Sequence, residues 1–214
     1  MLHRFLLLVL LTLATPPALA DALKVGVSPD YPPLAFQQDG RVMGIEADNV
    51  RAVSEVIGRP MKLVSMPFDK LLPALLAGQI DVIMSGFSVT EERARQVSFS
   101  DPYMRMGQMA IMHKDKVARF AQPWSVYREG VRIGVEPGTT GAAFAEKELK
   151  DAEIAYYTDA AAAFEGLRKD QIDLYIHDAP TSWLLATTSE NSDLISLYSP
   201  LTDEMLAWAV RKDD

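Results

Sequence analysis

Arg93 is the residue whose type and position most clearly point to chemistry. Residues 81–84 predict a short buried strand, Ser85 and Gly86 break it, and Thr90 can cap the helix that follows. A cation in the first turn of that helix opposes the helix macrodipole, so another interaction must account for it. One account is an anionic ligand held jointly by the guanidinium and free backbone N–H groups. The other is an ion pair with a neighbouring carboxylate.

Other predicted strand ends carry groups that complement this cation. They comprise a hydroxyl, a second turn that can bind an anion, a carboxylate and two aromatic rings: Ser88, Gly138-Thr139-Thr140, Asp178, Tyr31 and Phe68. Most have a plain structural alternative: a capped helix start for the Gly138-Thr139-Thr140 turn, an N-cap for Asp178, packing of a loop ring on its neighbours for Tyr31, and core packing for Phe68. A small zwitterion, such as an α-amino acid, would satisfy the whole set.

Strands and helices alternate regularly in the first half of the chain. Apolar patterns predict strand, helix, strand, helix and strand at residues 23–27, 46–57, 61–66, 68–77 and 81–84. This βαβαβ order predicts an α/β fold with a mainly parallel sheet, in which ligands bind beyond the carboxyl ends of the strands. Tyr31 follows the first strand and residues 85–88 follow the third, so both loops lie at one edge.

The second half repeats the pattern. Residues 131–135, 154–157 and 171–176 predict strands, and residues 142–150, 160–169 and 179–187 predict helices. Gly-Gln-Ile-Asp at 78–81 and Asp-Gln-Ile-Asp at 170–173 each stand between a helix and an apolar strand. The repeat predicts two α/β lobes that face each other across a cleft. Residues 106–113 and 205–210 predict further strands, and residues 96–103 are polar and irregular.

Composition excludes several classes of function. The chain has 214 residues and a net charge of −8, which argues against nucleic acid or an anionic membrane as a partner. It has no cysteine, so disulfides, thiol catalysis and cysteine metal sites are excluded. His113 and His177 have no suitably spaced partner, and we expect no metal and no cofactor.

Residues 1–20 have the pattern of a signal peptide. A short basic start precedes an apolar run at 5–14, and Ala18-Leu19-Ala20 forms a cleavage site before Asp21. We therefore expect export, with an uncleaved anchor as the alternative.

The sequence resembles the polar amino-acid solute-binding proteins that serve as periplasmic receptors of ABC importers. Four segments carry the resemblance: residues 26–33, 71–103, 133–141 and 172–178. It implies a type 2 periplasmic-binding fold, with two Rossmann-like lobes joined by a two-strand hinge. Lobe 1 would comprise residues 21–110 and 200–214, and lobe 2 residues 111–199. It also implies a monomeric periplasmic receptor whose protein partner is the membrane permease of the importer.

The resemblance assigns roles to the site. Arg93 would hold the ligand carboxylate with the backbone of Ser88 and Thr140. The ammonium group would bind the Gly86 carbonyl, the Ser88 hydroxyl and Asp178. The rings of the two aromatic residues would sandwich the ligand side chain. The predicted ligand-binding set is Tyr31, Phe68, Ser85, Gly86, Ser88, Arg93, Thr139, Thr140 and Asp178.

The sequence departs from the family pattern at two places. Ser28 stands where members that take basic amino acids often carry an acidic residue, so lysine or arginine is less favoured. The chain ends at Asp214, just after a strand at 206–210, where family members usually continue with helices that complete lobe 1. We expect those helices to be missing and apolar surface to be exposed in their place.

Three other functions stay open. An enzyme on this scaffold, similar to cyclohexadienyl dehydratase, would use Asp178, His177 or Glu136 as its acid or base, and turnover of prephenate or arogenate would reveal it. The chain can also be a sensor module of a larger assembly, or a degenerate receptor that binds nothing.

Overall fold

The computed structural model describes residues 21–212, without the side chains of residues 185–187. The predicted signal peptide lies outside the described residues. Within residues 21–212, no helix is long and apolar enough to cross a bilayer. The strands of this part are β1 (Leu23–Val27), β2 (Asp30–Tyr31), β3 (Ala35–Gln38), β4 (Arg41–Met43), β5 (Met61–Ser65), β6 (Val82–Ile83), β7 (Val97–Phe99), β8 (Met104–Met106), β9 (Gln108–His113), β10 (Arg132–Val135), β11 (Glu153–Tyr156), β12 (Leu174–Asp178), β13 (Leu194–Ser196), β14 (Glu204–Leu206) and β15 (Ala209–Arg211).

The helices lie mostly between the strands, as the periodicity predicts. They are α1 (Ile45–Ile57), α2 (Phe68–Leu76), α3 (Glu91–Ala94), α4 (Val117–Phe120), α5 (Thr140–Glu148), α6 (Ala160–Arg168) and α7 (Ala179–Thr187). Short 3-10 helices span Lys114–Lys116, Pro123–Tyr127 and Ser189–Asn191. The predicted βαβαβ order is confirmed in both halves, with boundaries that differ by a few residues.

Two five-stranded sheets form the two lobes. The first has the order β5-β1-β6-β15-β7, and the second has the order β11-β10-β12-β9-β13. In each sheet three neighbouring strands are parallel, β5-β1-β6 and β11-β10-β12. Two further strands extend each sheet, and each of them is antiparallel to the strand before it: β15 and then β7 in the first sheet, and β9 and then β13 in the second. The α/β fold of two Rossmann-like lobes is therefore confirmed.

The two lobes are joined by a pair of short strands. β8 and β14 pair with each other in an antiparallel ladder, and each runs between one sheet and the other. Since β9 pairs with the second sheet from Gln108 onward, we propose that lobe 2 begins near Gln108 rather than at residue 111.

Three sequence predictions were wrong in detail around this junction. The strand predicted at 106–113 divides at Gly107, where an added Cβ would lie 2.0 Å from the Thr202 carbonyl oxygen. The strand predicted at 205–210 divides into β14 and β15, and the segment 96–103 contains β7. The partners of these strands are far away in sequence, so local patterns do not reveal where one ladder ends and another begins.

The Gln-Ile-Asp motif of lobe 1 joins β1 to the start of β6. An added Cβ on Gly26 would lie 2.3 Å from Cδ1 of Ile80, so the isoleucine occupies the space above this glycine. The Asp81 carboxylate accepts a hydrogen bond of 2.7 Å from the backbone N–H of Lys24. The motif therefore holds two parallel strands in register at their amino ends.

The second Gln-Ile-Asp motif makes the same contacts in lobe 2. An added Cβ on Gly134 would lie 2.5 Å from Cδ1 of Ile172, and Asp173 accepts a 3.1 Å hydrogen bond from the backbone N–H of Arg132. The repeated phrase in the sequence is thus a repeated contact between strands.

Asp173 is also the buried centre of an ionic network. Its Oδ1 atom lies 2.8 Å from Lys116 Nζ and 2.8 Å from Arg132 Nη2. Burial alone opposes ionisation, but the hydrogen bonds from Arg132 and Lys116 hold the pKa of Asp173 well below its usual range. Asp170 bonds to the same two cations but is exposed.

Replacing Asp173 should therefore cost more stability than replacing Asp170. We expect Asp173→Asn to lower the free energy of unfolding by about 2–3 kcal/mol in urea titrations at pH 7. Asp170→Asn should cost much less than Asp173→Asn, because the Asp170 carboxylate is exposed to water. The folded-state pKa of Asp173 is lowered, so its contribution should fade as the pH falls below about 4. Equal costs for the two variants would contradict a central role for Asp173.

Candidate functional site

A cavity lies between the lobes, at the carboxyl ends of β1, β6, β10 and β12. Seven of the nine predicted ligand-binding residues line it: Tyr31, Phe68, Gly86, Ser88, Thr139, Thr140 and Asp178. Arg93 lies in the adjoining part of the cleft, which shares Phe68, Thr139 and Thr140 with the cavity. Ser85 lines neither space. The topology therefore brings the two predicted loops of lobe 1 together and sets them opposite the strand ends of lobe 2.

Arg93 is buried and points away from its own helix. Thr90 caps that helix by accepting a 3.1 Å hydrogen bond from the Arg93 N–H, as predicted. The guanidinium carbon lies 4.0 Å from the centre of the Phe87 ring and 5.6 Å from that of Phe68. Nη1 donates to the Ser88 carbonyl oxygen at 2.9 Å, which places the cation beside a loop of lobe 1.

The second contact of the guanidinium reaches the other lobe. Nη2 of Arg93 donates to the Gly138 carbonyl oxygen at 2.9 Å. Within residues 21–212 no carboxylate lies within ion-pair distance of Arg93, and Glu91 pairs with Arg95 instead, so the alternative explanation by an ion pair is not supported. Burial lowers the pKa of Arg93 to about 10, so the side chain stays charged at neutral pH. Two of its five N–H donors are engaged, which leaves capacity for an anion.

Two residues of the loop after β6, Ser85 and Gly86, support the loop that carries Tyr31. Ser85 Oγ accepts a 2.9 Å hydrogen bond from the Ser28 N–H and so supports the loop after β1. Gly86 has a φ of 59°, and an added Cβ would lie 2.3 Å from the Tyr31 ring. Its N–H donates to Glu46 Oε1 at 2.9 Å. Ser85 is therefore a supporting residue, and Gly86 is required for close packing.

Glu46 was not predicted from the sequence, but its carboxylate holds together three chain segments next to the site. This buried carboxylate accepts hydrogen bonds from the Gly86 N–H, from the Tyr103 hydroxyl at 2.5 Å and from Trp208 Nε1 at 3.1 Å. It ties α1 to the loop after β6 and to both chain segments near the hinge. An acidic residue in the first turn of a helix is common, so nothing in the sequence distinguishes it.

Asp178 occupies the N-cap position of α7, but its side chain does not cap that helix. Gln108 Nε2 instead donates to Asp178 Oδ1 and, at 2.9 Å, to Thr140 Oγ1. The Thr140 hydroxyl in turn donates to Glu204 at 2.7 Å. Burial, with Glu204 nearby, raises the pKa of Asp178 well above its usual range. Gln108 was not predicted, because its partners Thr140 and Asp178 are far away in the sequence.

Thr139 and His177 also line the cavity from lobe 2. Thr139 is the N-cap of α5 and accepts a 3.1 Å hydrogen bond from the Ala142 N–H, which confirms the structural alternative for this residue. Burial lowers the pKa of His177 to about 4. No group of three or more metal-binding side chains is present among the residues described.

Two acidic residues of the cavity wall were not among the predicted ligand contacts. Asp30 and Glu136 line the cavity together with Asp178. Asp30 accepts a 2.7 Å hydrogen bond from the Ser28 hydroxyl, and Glu136 accepts one from the Tyr175 hydroxyl. The position of Asp30 next to Tyr31 was the available signal. Burial raises the pKa of Glu136 to about 7.

Comparisons with known proteins identify the family. The sequence profile of the bacterial extracellular solute-binding proteins, family 3, matches residues 23–119. The arginine-bound form of truncated ArgBP from T. maritima has 34% sequence identity and a TM-score of 0.83, over 90% of this chain and 89% of that one. The chain belongs to the family-3 solute-binding proteins.

Two curated relatives of this family-3 protein carry different names. A probable histidine-binding protein of Campylobacter jejuni is 32% identical over 82% of this chain and 66% of its own length. A cyclohexadienyl dehydratase of Pseudomonas aeruginosa is 31% identical over 75% of this chain and 60% of its own length. The family-3 protein thus spans about three fifths to two thirds of the curated relatives that it matches.

The packing of Gly86 against Tyr31 gives a direct test of the site geometry. We expect Gly86→Ala to lower the free energy of unfolding by about 2–4 kcal/mol, because the methyl group would overlap the Tyr31 ring at a positive φ. Gly78→Ala is the matched control, since Gly78 has a φ of 69° and open space around its Cα. The control should cost about 1 kcal/mol in urea denaturation. Equal costs would mean that Tyr31 does not pack as described.

Proposed function

We propose that this protein is a receptor that binds a small amino acid between its lobes and delivers it to an ABC importer. The observation that carries the proposal is the cavity lined by both lobes, with the buried Arg93 at one side and the partly buried carboxylate of Asp178 at the other. These opposite groups match the carboxylate and the ammonium of an amino acid.

The ligand carboxylate would bind Arg93 through the guanidinium donors that the two carbonyl contacts leave available. Backbone N–H groups of Ser88 and Thr140 would complete this end of the site. The ammonium group would be bound by Asp178 with the Ser88 hydroxyl and the Gly86 carbonyl. A bound ammonium would favour the ionised form of Asp178, which burial disfavours without a cation. Tyr31 and Phe68 would contact the ligand side chain.

Closure of the lobes would couple binding to transport. Hydrogen bonds between the lobes include those from Arg93 Nη2 to the Gly138 carbonyl, from the Thr181 hydroxyl to the Pro32 carbonyl at 2.5 Å, and from the Thr140 hydroxyl to Glu204 at 2.7 Å. A ligand that contacts both lobes would stabilise this closed arrangement, which is a shift of populations between open and closed states. The closed form would dock on the membrane permease from the periplasm, as a monomer.

Arg93 provides the decisive test of this function. Arg93→Ala should weaken amino-acid binding at least about 100-fold by titration calorimetry, because the variant loses a buried partner for the carboxylate. Arg93→Lys, which keeps the charge but loses the planar fork, should also bind weakly. Arg95→Ala is the control, since Arg95 is exposed at the C-terminal end of the same short helix, and this variant should leave binding unchanged.

Circular dichroism must show that the Arg93 variants are folded. Ligands are found by a thermal-shift screen of the wild-type protein against amino acids, because bound ligand raises the melting temperature. Full binding by folded Arg93→Ala would contradict the assignment of the carboxylate, and the absence of any stabilising amino acid would contradict the receptor function.

Glu136 favours one alternative, an enzyme similar to cyclohexadienyl dehydratase. A carboxyl group with a pKa near 7 can donate a proton at neutral pH, as a general acid must. The test is turnover of prephenate or arogenate by purified protein, followed by product absorbance, with Glu136→Gln as the inactive control. Turnover that Glu136→Gln abolishes would replace the receptor proposal by the enzyme.

A further inference from the structure

The cavity contains more carboxyl groups than the main-chain groups of an amino acid require. Asp178 is assigned to the ligand ammonium, but Asp30 and Glu136 line the same cavity and have no role in that proposal. Glu136 directly follows β10 and is largely buried, with 12% of its side chain exposed. Asp30 is the exposed residue of β2 in lobe 1. The two carboxylates therefore reach the cavity from opposite lobes, one inside and one toward solvent.

The described contacts leave both carboxylates without a cation. Asp30 Oδ1 accepts from the Ser28 hydroxyl, and Glu136 Oε1 accepts from the Tyr175 hydroxyl. His177 Nε2 is 3.8 Å from Glu136, but burial lowers the pKa of that imidazole to about 4, so it is neutral at pH 7. Within residues 21–212 no lysine or arginine lies within ion-pair distance of either carboxylate.

Tyr31 provides a second, independent sign of a ligand at this end of the cavity. The residue is only 6% exposed, and its buried hydroxyl has no hydrogen-bond partner in the described part of the chain. The ring lies edge-on to His177 at 5.3 Å, on the same side as Glu136. A buried hydroxyl without a partner is costly, so a ligand donor at this point would be stabilising.

We propose that Asp30 and Glu136, with the Tyr31 hydroxyl, form a subsite for the cationic end of the ligand side chain. The proposal rests on the receptor function and specifies its ligand as a basic amino acid. A guanidinium or ammonium group supplies N–H donors and positive charge, and this end of the cavity presents acceptors and negative charge. Ser28 does not supply the acid that the family pattern favours there, but its hydroxyl holds Asp30, two residues further on.

A comparison of arginine with citrulline tests the subsite directly. The two ligands have the same main-chain groups and similar size, but citrulline has a neutral side chain. By titration calorimetry at pH 8, wild-type protein should bind arginine at least about 100-fold more tightly than citrulline. Glu136→Gln should weaken arginine binding roughly 10- to 100-fold, and the more exposed Asp30→Asn roughly 3- to 10-fold.

The controls separate recognition of charge from damage to the site. Citrulline affinity should change less than about threefold in either variant, because neither removes a main-chain contact. Glu55→Gln removes one negative charge from an exposed position on α1 and should change neither affinity. Equal losses for arginine and citrulline would mean a structural role for these carboxylates and would overturn the proposal.

The outcomes also distinguish this inference from the receptor function on which it rests. If wild-type protein binds a neutral amino acid more tightly than arginine and lysine, the receptor function stands and the cationic subsite is wrong. If it binds no amino acid, the receptor function itself is wrong.

The pH dependence of the arginine-to-citrulline affinity ratio gives a further readout. Glu136 must ionise to bind a cation, and its pKa is about 7, so the ratio should fall up to about tenfold per unit below pH 7. The titratable groups that face Glu136 are Tyr175, His177, Asp30 and Asp159. Above pH 5 His177 is neutral, and Asp178 contacts the ammonium of both ligands, so its titration cancels in the ratio. Glu136→Gln should remove the slope, and a slope that persists would contradict the proposal.

Discussion

The contact between a strand glycine and the Gln-Ile-Asp motif is the constraint on which both lobes depend. In each lobe an isoleucine fills the space above a glycine of the first strand, and an aspartate accepts the backbone N–H two residues earlier in that strand. These contacts set the register at the amino ends of the parallel strands, and the register fixes the positions of the carboxyl ends that border the cavity. The two sets are Gly26, Ile80 and Asp81, and Gly134, Ile172 and Asp173.

Because each lobe is held in register by its own motif, the site between them is built from two separately ordered sheets. Arg93 contacts both lobes, because its guanidinium donates to a carbonyl of each one and lies against two aromatic rings. These contacts compensate for its unfavourable place in the first turn of α3. A ligand carboxylate would meet the same guanidinium that bridges the lobes. Binding and closure would therefore act on one residue, which is a direct way to couple them.

The parts of this structure that local sequence determines were predictable. The βαβαβ order, the capping role of Thr90 and the meeting of Tyr31 with Gly86 follow from periodicity, helix capping and the geometry of parallel sheets. The division of the hinge strands at Gly107 was not predictable, because it depends on pairing with residues about a hundred positions away. Glu46 and Gln108 were missed for the same reason. Their hydrogen-bond partners are far apart in sequence, and either residue alone looks like an ordinary polar side chain.

Glu136 shows how one residue type leaves two functions open until its surroundings are known. A general acid must hold a proton, whereas the partner of a cationic side chain must release it. Burial places the pKa of Glu136 near 7, so the charge of the ligand decides which form prevails. An anionic substrate would keep the proton in place, but it would also face Asp30 and Asp178. A cation would relieve all three carboxylates at once. The charge balance of the cavity therefore favours binding of a basic ligand over dehydration of a dicarboxylate.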